Sequence, residues 1–193
     1  MRDIDIRCAL IADMERRHRD EANTRIVQEL GLRQGLARVD VAVVNGRVHG
    51  YEIKSAHDTL ARLPSQVSIY NQTLDYVTIV AAQSHLDKII ELVPSWWEIQ
   101  VAVQSKDGLR LKRSRRGRRN PQIDPFAFAQ LLWRNEALDA LRSFGLDAGM
   151  HSKPRRELWR RLATELTAKQ LGNVVRESLK KRGPAWGAPL SQA

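Results

Sequence analysis

One cysteine, Cys8, is all the thiol that this 193-residue chain carries. That excludes an intramolecular disulfide framework and a cysteine-rich zinc site. Cys8 sits in an apolar-periodic segment, so it is expected to be a buried, inert thiol. No apolar run approaches the roughly 20 residues that a helix needs to cross a bilayer. The charged opening MRDIDIRC lacks the apolar run of a signal peptide, and the expected compartment is the cytosol. Internal repeats are absent, as are a nucleotide-binding motif and a serine or cysteine triad. Gly31, Gly35, Gly46 and Gly50 form no loop that would cradle a phosphate.

Acidic residues thin out in the second half. Residues 1–109 hold 13 Lys+Arg against 15 Asp+Glu, whereas residues 110–193 hold 19 against 7, so the whole excess of +10 lies downstream. A concentrated basic segment attracts polyanions by releasing their condensed counterions. Nucleic acid is therefore the leading partner class, ahead of an anionic membrane surface. The plain alternative is a solvated surface that keeps the protein dispersed.

Periodicity orders the chain as helix, three strands, helix, strand, then helices. Residues 3–19 carry Ile4, Cys8, Ile11, Ala12 and Met14 near helical spacing. In TRIVQELGL, Ile26, Val27 and Leu30 fit a helix turn, but Thr24-Arg25-Ile26-Val27 also fits a short strand. The strand, ended by Gly31 and Gly35, is preferred, followed by strands near 37–44 and 47–54. Leu60, Leu63, Val67, Tyr70 and Leu74 mark a helix that should begin near Pro64. DYVTIVAA (75–82) has the continuous β-branched character of a strand buried on both faces. A short helix over 84–92 and a strand over 96–104 follow, the latter pairing with 109–112 through Lys106-Asp107-Gly108. KRSRRGRR (112–119), six of its eight residues basic, is expected to be an exposed loop or linker. From Asp124 onward every pattern is helical: a stripe from Phe128 to Leu141, a second from Leu158 to Leu166, and a third opened by the capping-box pattern Thr167-Ala-Lys-Gln170. The expected organisation is an α/β domain over 1–109, a basic linker over 110–124, a helical appendage over 125–183 and a flexible tail over 184–193.

Chemistry gathers in RVDVAVVNGRVHGYEIKS. Asp40, Glu52 and Lys54 lie on two β-branched strands joined at Asn45-Gly46. Two carboxylates and an amine brought together by one hairpin are a minimal set for metal-assisted cleavage of a phosphodiester. The carboxylates hold a hard divalent cation through oxygen, the cation activates a water, and the ammonium orients that water or offsets transition-state charge. The bland alternative makes Asp40 a strand opener and Glu52 and Lys54 the solvated side of an alternating edge strand.

The helix, three strands, helix and strand, with Asp40 on the second strand and Glu52-Ile53-Lys54 on the third, resemble the PD-(D/E)XK nuclease superfamily over about residues 1–104. Gln66 and Tyr70, in LPSQVSIY, match the Gln-x-x-x-Tyr signature of its RecB-like members, one helical turn apart and on one face. The segments RVDVAVVNG, HGYEIKS, DTLARLPSQ and VPSWW are similar to those of a small bacterial family of that superfamily. Val39 stands where the superfamily's eponymous proline would be. The resemblance implies a restriction-endonuclease-like α/β core with a mixed sheet flanked by helices. It implies that Asp40 and Glu52 bind Mg2+ or Mn2+ with help from the Ile53 carbonyl, and that Lys54 positions the attacking water. Gln66 and Tyr70 would support the site or touch the scissile strand. Glu29 is the candidate upstream acid, with Asp20 and Glu21 as rivals.

Strand geometry sharpens the expectation. Side chains alternate along a strand. A two-residue turn at Asn45-Gly46 would set Asp40 opposite Tyr51 and on the face away from Glu52. A working site therefore requires a three-residue connection or a bulge, with Gly50 its natural place.

Other residues have two readings each. His49 and His57 flank the site without completing a ligand spacing. Ser55 and Asp58 suit a helix cap. Arg38 and Arg62 could contact phosphate or pair with acids, and Trp96 and Trp97 suit core and rim packing better than base stacking. Arg113, Arg115, Arg116, Arg118 and Arg119 would grip a nucleic-acid backbone beside the site or merely solvate a linker. The helical appendage would supply a DNA-binding surface, a homodimer contact or a lid. The leading expectation is a metal-dependent nuclease acting on DNA. The rivals are a non-catalytic nucleic-acid-binding module on the same fold and a protein-interaction subunit whose basic tail docks an acidic partner.

Overall fold

The β-branched runs of the first 115 residues become six strands that lie side by side in chain order. A computed structural model describes residues 2–106 and 108–183. Its elements are α1 (Asp3–Arg17), β1 (Arg25–Leu32), β2 (Ala37–Val44), β3 (Val48–Lys54), α2 (Leu63–Thr73), β4 (Tyr76–Ala82), α3 (Leu86–Leu92), β5 (Glu98–Ser105), β6 (Gly108–Arg115), α4 (Pro125–Ala129), α5 (Arg134–Ser143), α6 (Arg155–Glu165) and α7 (Ala168–Lys181). Strands β1, β2 and β3 are antiparallel, β3, β4 and β5 are parallel, and β6 returns antiparallel to β5. The parallel pairs need crossovers, which α2 and α3 supply. This is the α/β class expected from the sequence, with a helical C-terminal part. The central strand β4 is buried on both faces, as its unbroken apolar run requires.

Helix α1 covers one face of the sheet. Ile6, Leu10 and Met14 pack on Val41, Val43, Tyr51, Ile53 and Val80. The buried stripe is two residues out of phase with the one expected: Ile4 is half exposed and Cys8 faces solvent. Two apolar sets of four-residue spacing overlap on this helix, Ile4/Cys8/Ala12 and Ile6/Leu10/Met14, and the second, with the bulkier side chains, meets the sheet. The other face of the sheet, α2, α3 and the C-terminal helices share one hydrophobic cluster running from Val27 through Trp97 to Leu179. Helix α2 begins where Pro64 allows. Asp124 caps α4 by accepting from the amides of Phe126 and Ala127 at 2.8 and 3.2 Å. Thr167 and Gln170 form the capping box of α7.

Three further expectations are corrected. The stripe from Phe128 to Leu141 is two helices, because the chain breaks at 130–133, where the Leu132 carbonyl accepts from the indole of Trp159 at 3.0 Å. The basic run is not wholly a loop: its first four residues complete β6, paired with β5 across a bulge at Ile99/Gln100. Nor is 110–124 a free linker. Asn120 is buried, and its side-chain amide donates to the carbonyls of Asn71 and Leu74 at 2.7 and 2.8 Å, clamping the end of α2. The tail expected over 184–193 lies outside the described residues. Among the described residues no helix is long and apolar enough to cross a membrane.

Candidate active site

The connection between β2 and β3 has three residues, Asn45-Gly46-Arg47, with Val44 opposite Val48. Its amides turn inward: Asn45 N donates to Arg47 O at 3.0 Å, and Arg47 N donates to Asn45 Oδ1 at 3.3 Å. Continued along the strands, this register sets Asp40 opposite Glu52, which is the condition the chemistry demanded. Gly50 is not a bulge. It pairs regularly with Ala42 and Val77, and a Cβ there would stand 2.6 Å from Leu74 Cδ1. Its missing side chain makes room for α2.

Backbone pairing between β2 and β3 stops at Val41 and Tyr51. Past that point side chains take over the freed groups. Ile53 N donates to Asp40 Oδ2 at 2.7 Å, and the Tyr70 hydroxyl lies 2.9 Å from Arg38 O. Arg7, on α1, donates to Asp40 O at 3.1 Å. The neighbouring strand deforms at the same level. Glu29, between the paired positions Gln28–Val41 and Leu30–Val39, has a φ of 54°, a left-handed conformation that costs a β-strand residue roughly 1–3 kcal/mol. Alternation fails on both strands here. Val27 and Leu30 share a core although three residues apart, and so do Val39 and Ala42. The result is a split in the sheet, open to a cleft of about 480 Å3 lined by Arg7, Glu29, Arg38, Asp40, Glu52, Ile53, Lys54, Asp58, Arg62 and Gln66.

Glu52 and Lys54 are both buried at the end of β3. Lys54 Nζ donates to Glu52 Oε1 at 2.7 Å and to Gln66 Oε1 at 3.1 Å. Gln66 Nε2 donates to the same Glu52 oxygen at 2.7 Å, and the Tyr70 hydroxyl donates to Glu52 Oε2 at 2.6 Å. The four-residue spacing of Gln66 and Tyr70 thus presents both to one carboxylate. Burial, and then the charge of Glu52, hold the Tyr70 phenol well above its ordinary range. It stays protonated and acts as a donor.

Asp40 is paired differently. Arg7 Nη2 donates to Asp40 Oδ1 at 2.8 Å, and Arg7 Nη1 donates to Glu29 Oε1 at 2.8 Å. Burial and the adjacent Glu52 charge push the Asp40 carboxyl up to about 7, against the pull of the Ile53 amide and Arg7. Burial tends to discharge Arg7, but the carboxylates of Asp40, Asp3 and Glu29 outweigh it and hold the guanidinium above its ordinary value.

Whether these groups suit a hard divalent ion is a matter of lone pairs. A carboxylate offers about four acceptor sites. Asp40 uses two, and Glu52 uses three. Both line the cleft and keep unfilled acceptor capacity. Among the described residues no group of three or more His, Cys, Asp or Glu side chains forms a metal cage. Two carboxylates with a backbone carbonyl and water are nonetheless a usual donor set for Mg2+, so the residues fit.

All the residues expected at the acidic site meet: Asp40, Glu52, Lys54, Gln66, Tyr70, Ile53 and the upstream acid Glu29. The arginines of the basic run do not join them. Arg115 is tied down, donating to the carbonyls of Trp97 and Pro94 at 3.0 and 2.7 Å. Arg113, Arg116, Arg118 and Arg119 line a separate cleft with His49. His49 is held by Thr78 Oγ1 at 2.8 Å and lies outside the acidic cleft. Ser55 and Asp58 close a turn ahead of α2 instead of capping it, with Ser55 N donating to Asp58 Oδ2 at 2.7 Å. Trp97 is core, its indole donating to Asn71 Oδ1 at 2.9 Å. The residue not foreseen is Arg7. Its one sequence signal is the Asp3/Arg7 spacing of four, which puts an ion pair on one helix face without saying that the face meets a site.

Comparisons with known proteins bear on kinship. Protein cII of Enterobacteria phage P4 is 27% identical over 157 residues, which is 81% of this chain and 59% of that protein. The chain therefore spans about three fifths of the length of that relative. A solved protein of unknown function from Silicibacter pomeroyi shares 20% identity with a TM-score of 0.40, covering 70% of this chain and 88% of its own, a likeness too loose to establish a common fold. Residues 1–185 match the family described as bacteriophage P4 protein cII, and the chain belongs to that family.

Proposed function

We propose that this protein is a metal-dependent phosphodiesterase of the PD-(D/E)XK kind that hydrolyses nucleic acid, with DNA as the first substrate to test. The observation that carries the reading is the split between β2 and β3, which gathers Asp40, Glu52 and Lys54 in one cleft with Gln66 and Tyr70 behind them. Asp40 and Glu52 would hold Mg2+ or Mn2+, with the Ile53 carbonyl as a further oxygen. A divalent ion bound there supplies Lewis acidity toward a phosphoryl oxygen and lowers the pKa of a water. The Lys54 ammonium, held by Glu52 and Gln66, would orient that water and stabilise the added charge of the transition state. Gln66 and Tyr70 lock the Glu52 carboxylate. Arg38 and Arg62 line the cleft mouth and suit phosphate contacts.

A second reading rests on Arg7. Its guanidinium already neutralises Asp40 and Glu29, the arrangement expected of a site that binds nucleic acid without cutting it. Purified protein incubated with DNA or RNA and Mg2+ or Mn2+ separates the two. Cleavage that disappears in Glu52→Ala and Lys54→Ala, both still folded, supports the phosphodiesterase. Binding without cleavage under either metal supports the binding module.

A further inference from the structure

We infer that the chain also holds the backbone of a single-stranded nucleic acid in an arginine-lined trough set apart from the acidic cleft. Two adjoining clefts, of about 570 and 1180 Å3, share Asn45, Arg47, Tyr76 and Arg119. The smaller is lined by six arginines (Arg17, Arg47, Arg113, Arg116, Arg118 and Arg119) and by a single carboxylate, Glu98. That carboxylate is occupied, accepting from Gln100 Nε2 at 2.5 Å and lying 3.5 Å from Arg113. The larger cleft adds Lys169 and Arg176. Its Asp75 is buried and committed to the Val48 amide at 2.8 Å and to Arg176 at 3.4 Å, and its Glu21 to His18 at 2.8 Å. Arg17 pairs with Asp13. Arg47, Arg116 and Arg118 are exposed, and Arg113 and Arg119, within 3.5 and 3.8 Å of Glu98 and Asp75, still have 57% and 71% of their side chains exposed.

Aromatic rings lie among the cations. Arg47 sits over the Tyr76 ring at 5.0 Å, and His49 stacks on Tyr51 at 4.2 Å. Tyr51 is core beneath α1, so the half-buried Tyr76 and His49 are the rings a base would meet, and arginines along a backbone beside such rings are the composition of single-strand sites. A lipid headgroup surface would call for an apolar rim in place of rings packed within a cleft.

The trough lies at a fixed distance from the acids. Helix α1 has Arg7 at the acidic cleft and Arg17 at the trough, ten residues or about 15 Å along a helix. Strand β3 has His49 at the trough and Glu52 at the cleft, three residues or about 10 Å along a strand. His49 and Glu52 point to opposite faces of β3, so a strand reaching from the trough to a bond seated at Asp40 and Glu52 passes between faces, and at 3.4 Å of axis per nucleotide these rises set a minimum of about three nucleotides. This spacing rests on the phosphodiesterase reading; the binding itself does not.

Anisotropy titration of a fluorescein-labelled single-stranded DNA in EDTA tests the trough without metal. Arg116→Glu/Arg118→Glu should weaken binding at least tenfold and flatten the slope of log K against log salt by about 1.4, from 0.7 per lost contact. Arg47→Ala should weaken it several-fold, whereas Arg142→Glu, on the exposed side of α5, should not. An unchanged affinity and slope in variants that melt like the parent overturns the proposal, as does cosedimentation with phosphatidylserine vesicles in place of DNA binding. Loss of cleavage alone would leave it standing, so the two readings fail separately.

Discussion

Replacing Tyr70 by Phe isolates one hydrogen bond in the wall of the cleft. The residue is fully buried, and its ring stacks 5.9 Å from that of Trp97, so Phe leaves no cavity. What is lost is the hydroxyl that donates to Glu52 Oε2 at 2.6 Å and lies 2.9 Å from Arg38 O. One proton serves one acceptor at a time, so the loss amounts to a single hydrogen bond to a charged acceptor, about 1.5–3 kcal/mol when that acceptor stays buried. For a chain of this length 1 kcal/mol moves the melting temperature by about 2–4 °C. Tyr70→Phe should therefore lower Tm by roughly 3–12 °C in EDTA at pH 7.5, followed by circular dichroism or calorimetry. In a Glu52→Gln background the phenol faces a neutral amide, whose hydrogen bond is worth about 0.5–1.5 kcal/mol. The double-mutant cycle should then return a coupling of about 1 kcal/mol. A Tm within 1 °C of the parent, or strict additivity, would falsify the claim that Tyr70 holds a charged Glu52.

Three other perturbations follow from the same geometry. In Asp40→Asn the pH dependence of stability should flatten. The raised acid contributes stability that is complete below its unfolded value near 3.8 and is lost as pH climbs through about 7, so parent and variant denaturation midpoints should diverge between pH 4 and 7.5, and parallel profiles refute the burial of this acid. Gly50→Ala places a Cβ 2.6 Å from Leu74 Cδ1 and 3.1 Å from Val39 Cγ2, both on buried residues. Overpacking of about 1–3 kcal/mol is expected, relieved when Leu74→Ala is added. Arg182→Met removes a buried fork to Glu136, at 2.8 and 2.6 Å, and a bond to the Leu131 carbonyl at 2.6 Å. Leaving Glu136 without its partner should cost about 3 kcal/mol, seen as a lower denaturation midpoint that Glu136→Gln partly restores.

Local pattern reached some of this molecule. The order of α1 through β5 was legible because most runs matched one period, with TRIVQELGL fitting both a helix turn and the strand that forms. The twelve-residue offset between Asp40 and Glu52 excluded a regular two-residue turn, which would have put them on opposite faces, and left a three-residue connection or a bulge. Gln66 and Tyr70 stood out through the resemblance to the Gln-x-x-x-Tyr signature, and helix geometry put them on one face. What escaped belongs to docking. Two apolar stripes overlap on α1, and only contact with the sheet selects Ile6, Leu10 and Met14 over Ile4 and Cys8; that choice is also what turns Arg7 into the cleft. The basic run hid a strand because an edge strand needs little apolar alternation when charged side chains protect it. Arg115 hid a structural role, since its carbonyl partners at Pro94 and Trp97 become neighbours only through the β5–β6 register.

The torn pairing between β2 and β3 leaves a spectroscopic reporter inside the molecule. The Ile53 amide proton belongs to a strand but is held by the Asp40 carboxylate at 2.7 Å instead of by a backbone carbonyl. Whatever protonates, chelates or draws away that carboxylate must be felt at one 15N–1H resonance and in the exchange rate of one hydrogen. Neighbouring amides in the intact ladder, such as those of Tyr51 and Gly50, pair with backbone and not with that carboxylate. The occupancy of the cleft can thus be followed on a single peak, before any substrate is known.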